Sequence, residues 1–241
     1  MDILERLIKE TQEREVVSAH VGYFTTAVVS RGADGERCGL ATTLRGGACA
    51  GPVAGAGNLS GRPVRELARL ALSRVGAETS LGMAAINSAL PPAECETLNA
   101  EELITERGRG KNIAVIGHFP FTDRLRTQAK ELWVFELAPK DERDLPPERM
   151  AELLPRADVL ALTALTLLNG TFKNIISLCR PGAFKVLLGP SAPLSPAMFD
   201  YGIDAVGGTE VRDIPALTRC LSQGASFRGL EGKKAVILRK K

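Results

Sequence analysis

Apolar residues near the start of the chain fall at Ile3, Leu4, Leu7 and Ile8, the stripe of an amphipathic helix within "MDILERLIKETQER". Two extended runs follow, "VGYFTTAVVS" and "RCGLATTL", joined by "RGADGE". Asp34-Gly35 is a strong hairpin-turn signal, so these runs predict an antiparallel pair. The glycine-rich segment "RGGACAGPVAGAGNLSGR" reads as a flexible connection or lid. Beyond it, Val64, Leu67, Ala68, Ala71 and Val75 share one side of a helix that starts near Pro63, with Gly76 placed to end it. A second helix, "ETSLGMAAINSAL", should stop at Pro91-Pro92. Helix, hairpin, helix, helix is the order of a small α+β domain over residues 1–90.

After an expected linker over residues 91–105, the pattern changes to alternation. Short apolar strands are predicted at "NIAVIG", "ELWVFEL", "DVLALTAL" and "FKVLLG", with a weaker fifth at "IDAVGG". Helices are predicted between and after them, at "DRLRTQAK", "PPERMAELLPRA", "GTFKNIISLC", "SPAMFDYG" and "DIPALTRCLSQG". Pro147 and Pro196 sit where first-turn prolines are tolerated, and Gly224 where a helix needs its C-terminal cap. Buried runs alternating with helices mean a parallel sheet covered on both faces. The fold class is therefore α/β, with a Rossmann-like domain over residues 106–241.

Composition narrows the function. The net charge of the 241 residues is a mild +3, and only the tail "EGKKAVILRKK" is locally basic. That tail reads as a solvated end, and with few aromatics beside it no nucleic-acid partner is expected. Cys38, Cys49, Cys95, Cys179 and Cys220 are far apart and form no C-x-x-C, so neither a zinc knuckle nor a disulfide framework is signalled. No apolar run approaches the ~20 residues needed to cross a bilayer. A reduced, soluble, cytoplasmic protein is expected.

In an open parallel sheet, ligands bind beyond the carboxyl ends of the strands, where strand order reverses. That rule selects Gly117, His118 and Phe119 after the first strand, and Glu136 after the second. It selects Thr163, Thr166, Asn169, Gly170 and Thr171 after the third, and Gly189 and Ser191 after the fourth. "IAVIGHFPF" opens like a dinucleotide fingerprint, yet Phe119 and Thr122 stand where G-x-G-x-x-G requires its later glycines. His118 is suited to shuttle a proton, ligate a metal or bond a loop backbone. Glu136 lies about 20 residues after Gly117, where dinucleotide folds keep their ribose-binding acid. Thr171 can cap the next helix and leave its first N–H groups for an anion, with Asn169-Gly170 as a tight loop before it. His20 reads as structural or exposed. Neither a P-loop, a Ser–His–Asp order nor H-E-x-x-H occurs.

"VIGHFPF", "VFELAP", "LTALTLLNGTF", "LLGPSAPLSPAMFDYGIDAVGG" and the upstream "GLATTL" and "AAINSAL" resemble a bacterial and archaeal family of unknown function described as heavy-metal-chelation proteins. The resemblance implies an enolase-N-terminal-like domain before the Rossmann-like one, an active site in the cleft between them, and a homodimer. It adds Asn87 as a ligand-facing residue, with Thr42 and Thr43 as weaker candidates. It also implies a part in metal or siderophore handling. Two readings follow. One is a small anionic or metal-chelating ligand, held by His118 and Glu136 with a divalent transition metal bound as its chelate; a closed zinc site needs four ligands. The other is a module for a nucleotide or S-adenosylmethionine.

Overall fold

The computed structural model describes residues 2–45 and 50–240. Part of the glycine-rich run, with Cys49, lies outside the described residues. Helix α1 (Ile3–Glu10) buries Ile3, Leu4, Leu7 and Ile8, and Asp2 with Glu5 closes a capping box at its start. Strands β1 (Glu15–Val21), β2 (Thr25–Gly32) and β3 (Gly35–Thr42) form one antiparallel sheet in that order. The hairpin turns at Gly35, whose φ of 94° is open to glycine. The buried Arg14 guanidinium braces the turn by donating to Ser30, Asp34 and the Gly35 carbonyl. Strand β1 joins the expected pair as a third strand; most of its residues are half-buried without clear alternation.

Helix α2 (Val64–Ala68) runs into a 3₁₀ turn over Arg69–Leu72 and stops at Ser73. Gly76, expected to end this helix, instead opens α3 (Gly76–Ala89). Helix α3 is buried on nearly every side, and two glycines allow that. A Cβ on Gly82 would meet the Ala71 nitrogen at 1.9 Å, and one on Gly39 would meet the Ala84 carbonyl oxygen at 2.2 Å. Part of the expected linker is folded as well. Glu96 bridges to Ile237, and α4 (Ala100–Gly108) buries Leu103 and Ile104 completely.

The larger unit then runs β4 (Asn112–Ile116), α5 (Thr122–Arg126), β5 (Glu131–Phe135), β6 (Asp144–Leu145), α6 (Met150–Leu153) and β7 (Val159–Thr163). It continues with α7 (Leu165–Leu168), α8 (Phe172–Leu178), β8 (Phe184–Leu188), β9 (Ala205–Val211), α9 (Ile214–Ser222) and β10 (Lys233–Arg239). "SPAMFDYG" forms a 3₁₀ turn over Pro196–Tyr201, closed by Gly202. The seven strands lie in the order β10-β9-β8-β7-β4-β5-β6. All neighbours are parallel except β10. The basic tail is therefore an edge strand, with Val236, Ile237 and Leu238 buried. From β4 the chain walks outward through β5 to β6, then restarts at β7 on the other side of β4. This Rossmann-type order places the switch point between β4 and β7.

The two units are bonded directly. The Thr42 N–H donates to Ser191 Oγ at 2.9 Å, and Ser195 Oγ donates to Glu10 at 2.9 Å. Among the described residues no helix is long and apolar enough to cross a membrane. Because α3 packs backbone against backbone, Gly82→Ala should destabilise the protein by about 3 kcal/mol in urea unfolding. Gly110→Ala, at φ of 67° with open space around it, should lose only about 1 kcal/mol. Equal losses would refute the close-packing account.

Candidate functional site

Strand β4 ends its apolar run at Ile116, and Gly117 at φ of 93° lets the chain leave the sheet edge. A Cβ there would crowd Thr163 Cγ2 at 3.3 Å, so the glycine also lets the loops after β4 and β7 approach. Beyond these strand ends lies a cavity of about 560 Å³. Ile116, Phe135, Met150, Leu165, Ile175 and Leu178 supply apolar wall. Gly117, His118, Phe119, Glu136, Thr163, Thr166, Asn169 and Thr171 all reach it, so eight of the sequence-selected residues meet at the switch point.

His118 is the most constrained of them. Its Nδ1 lies 3.3 Å from Oδ2 of Asp144, whose side chain has no exposure. Burial pushes the Asp144 carboxyl upward, but the N–H groups of Lys140 (2.8 Å) and Asp141 (3.1 Å), with His118, outweigh it and hold the acid below its ordinary range. An ionised carboxylate only accepts, so Nδ1 carries the proton. Nε2 is then the nitrogen that faces away from Asp144, and in the neutral form of the ring it is a bare lone pair; no described residue engages it. Asp144 was not legible in the sequence. It sits in the two-residue strand β6, inside the polar stretch "KDERDLPPERM", where no spacing or apolar period marks it.

The other groups are partly committed to the loops. Glu136 Oε1 accepts the N–H of Leu137 at 2.8 Å. Thr166 Oγ1 donates to the Thr163 carbonyl at 2.7 Å. Thr171 holds the N-cap position of α8, but its hydroxyl does not cap the helix. Both its N–H (3.1 Å) and its hydroxyl (2.7 Å) donate to Asn169 Oδ1, because an Asn side chain readily closes a turn onto the residue two ahead. In the loop after β4, the Phe119 N–H donates to Thr122 Oγ1 at 3.3 Å, and the Phe119 and Phe121 rings stack at 5.2 Å. The amide that a glycine loop would turn toward a phosphate is thus spent internally.

The remaining selected residues lie elsewhere. Gly170 faces a neighbouring groove beside Asp2 and α1. Gly189 turns the chain out of β8, and the buried Ser191 hydroxyl is the acceptor for Thr42. Thr43 Oγ1 donates to the Gly22 carbonyl at 2.8 Å. Asn87 lines a separate groove between the two units. The His118 cavity is walled by residues 116–178 alone, so it lies within the larger unit and not in the interdomain cleft that the resemblance implied. His20, in β1, sits 3.0 Å from Ser18 Oγ and away from the cavity.

A resident metal does not fit these residues. Among the described residues no three His, Cys, Asp or Glu side chains are grouped to hold an ion. His118 and Glu136 are two donors, and Asp144 is already occupied. Burial raises the Cys38 thiol to about 12 and the Cys179 thiol to about 11, so with no metal bound both are protonated at neutral pH, and neither lines the His118 cavity.

Asp144→Asn should cost about 1–3 kcal/mol at neutral pH, because a buried charge-assisted acceptor is lost. The depressed native pKa gives stability that is present above the ordinary carboxylate range and lost as pH falls through the native value. Wild type and variant should therefore converge in urea midpoints on acidification. A gap that is constant with pH would show that Asp144 is not ionised.

Two family models match the chain, one over residues 4–90 and one over residues 99–240, and each carries the description "Putative heavy-metal chelation". An uncharacterized protein of Methanocaldococcus jannaschii is 30% identical over 167 residues, which span 65% of this chain and 64% of that relative. The fold matches a crystal structure from Pyrococcus horikoshii, a DUF364-family protein of unknown function, with TM-score 0.80 and 24% identity over 99% of this chain and 98% of that one. A second protein of unknown function from that family, from Desulfitobacterium hafniense DCB-2, matches with TM-score 0.83 and 23% identity over the same shares. With the larger unit matched almost end to end, the chain belongs to the DUF364 family of heavy-metal-chelation description.

Proposed function

We propose that the cavity beyond β4, β5 and β7 binds a small metal-chelating or anionic organic molecule, alone or with its metal already complexed. The observation that carries this reading is the Asp144–His118 pair. A buried carboxylate fixes the ring and its tautomer, and leaves one nitrogen lone pair beside an otherwise largely apolar cavity. A carboxylate behind the ring orients a single imidazole ligand or proton acceptor in this way. With too few protein donors for a bare ion, a metal would enter as cargo whose other positions the chelator fills. Glu136 and Asn169 would meet polar groups of the ligand, and the apolar wall its carbon frame.

Strand order alone would equally suit a nucleotide or S-adenosylmethionine. The loop after β4 speaks against the nucleotide's phosphates, because its Phe119 amide is already bonded and aromatic rings fill the turn. Calorimetry should compare Zn, Co and Ni ions, bare and pre-complexed to organic chelators. Chelates should bind at least about tenfold more tightly than bare ions, and His118→Ala should lose that binding while staying folded, with a melting temperature lowered only by the lost contact to Asp144. Equal strong binding of bare ions, unaltered binding by His118→Ala, or stabilisation by millimolar NAD(P), ATP or S-adenosylmethionine would each overturn the reading.

A further inference from the structure

A second groove, of about 290 Å³, lies between the units and is separate from the His118 cavity. Cys38, Leu40, Asn87, Pro91, Pro190 and Thr209 are among its walls. Its character follows from strand register. Thr43 N–H donates to the Phe24 carbonyl, which fixes the odd residues of β3 as those bonded to β2. The even residues, Glu36, Cys38, Leu40 and Thr42, turn their backbone groups to the open edge. Two of those groups are already taken by side chains. The Leu40 carbonyl accepts from Asn87 Nδ2 at 2.8 Å, and Thr42 N–H donates to Ser191.

Strand β9 presents a matching edge. Gly189 N–H donates to the Gly207 carbonyl, so the odd residues of β9 face β8. Pairing with β8 ends at Gly207, which leaves Thr209 and Val211 facing the same groove without a strand partner on that side. Among the described residues no hydrogen bond reaches the outward backbone groups of Glu36, Cys38, Thr209 or Val211, or the N–H of Leu40. Asn87 Oδ1 is also buried without a partner. The buried Asn87 oxygen carries a free-energy cost that a complementary donor would relieve, and the strand-edge backbone groups beside it are open to pairing with a further strand.

We propose that this groove binds a short peptide in extended conformation, added along the free edge of β3 beside Thr209. The ligand must supply alternating N–H and C=O groups at strand spacing, which is what a peptide backbone offers. It need carry no charge. The charged side chains at the groove are paired, Glu36 with Arg31, Arg37 with Asp34, and Glu210 with Arg212. Proline and aliphatic side chains form the remaining walls, and the volume limits the occupant to a few residues.

The test uses the full chain and N-acetyl-trialanine-amide at millimolar concentration, read by NMR amide hydrogen exchange. Exchange at Cys38, Leu40 and Thr209 should slow, and the same peptide N-methylated on alternate amides should bind at least about tenfold more weakly. Thr209→Phe, which fills the groove, should abolish the protection, whereas His118→Ala should leave it intact. That contrast separates this site from the cavity. Absence of protection, equal binding of the N-methylated peptide, or loss with His118→Ala would overturn the proposal. Protection that instead rises with protein concentration alone would assign the edge to a second copy of the chain and overturn it equally. Should Thr209→Phe not fold, the paired peptides decide.

Discussion

The reversal of strand order between β4 and β7 is the constraint from which the site follows. Strands on either side of that point send their chains away in opposite directions, so the connections after β4 and β7 diverge and leave a gap beyond the sheet edge. The gap exists before any particular residue fills it. Gly117 makes it usable, because only a residue tolerant of positive φ can bend the chain there while a threonine from β7 approaches from the side. What the gap then holds is decided by the four residues after Gly117. In this chain they build a closed turn with stacked aromatic rings and one histidine in place of the glycine loop.

Holding that histidine has its own cost. Asp144 is wholly buried, and an isolated carboxylate there would be driven to take up a proton. Two backbone N–H groups from its own loop and the imidazole hold it ionised instead. The same three contacts order the loop over residues 140–144 and fix the histidine tautomer. Loop structure and site chemistry are therefore one arrangement. A reason follows for a two-residue strand at the sheet edge: β6 fixes Asp144 by pairing it with Val134, one residue from where Phe135 enters the cavity wall.

Most of the fold was legible because it rests on local patterns. The buried runs of β4, β5, β7 and β8 announce themselves, and the α1 stripe matches its buried face residue for residue. What escaped is tertiary. Strand β10 is composed like a solvated tail and becomes a strand only because β9 and Glu96 lie on either side of it. Gly76 looked like a helix end and is a helix start, since Ser73 had already turned the chain. In the site, residues at strand tips could be chosen by rule, and eight of them converge. Asp144 could not, because its partner is 26 positions away and only the strand order joins them. Ser191 and Gly189 follow a strand on the far side of β7, which is why the same rule selected them while the structure assigns Ser191 to the joint with β3.

The joint between the two sheets ties these points together. The edge of β3 is blunted at one end by Asn87 and Ser191, and at the other, among the described residues, by no hydrogen bond. Edge strands left open invite pairing with another chain, and proteins usually cover or charge them. Here the open stretch is recessed against β9, so a flat sheet edge from another protein has little room to approach, while a narrow single strand has more. The cavity at the switch point and the groove at the joint thus differ in kind. One offers a histidine nitrogen with Glu136 and Asn169 against a partly apolar wall, the other a row of uncharged amides. A ligand suited to either is poorly matched to the other, so two pockets on one small protein need not compete for the same molecule.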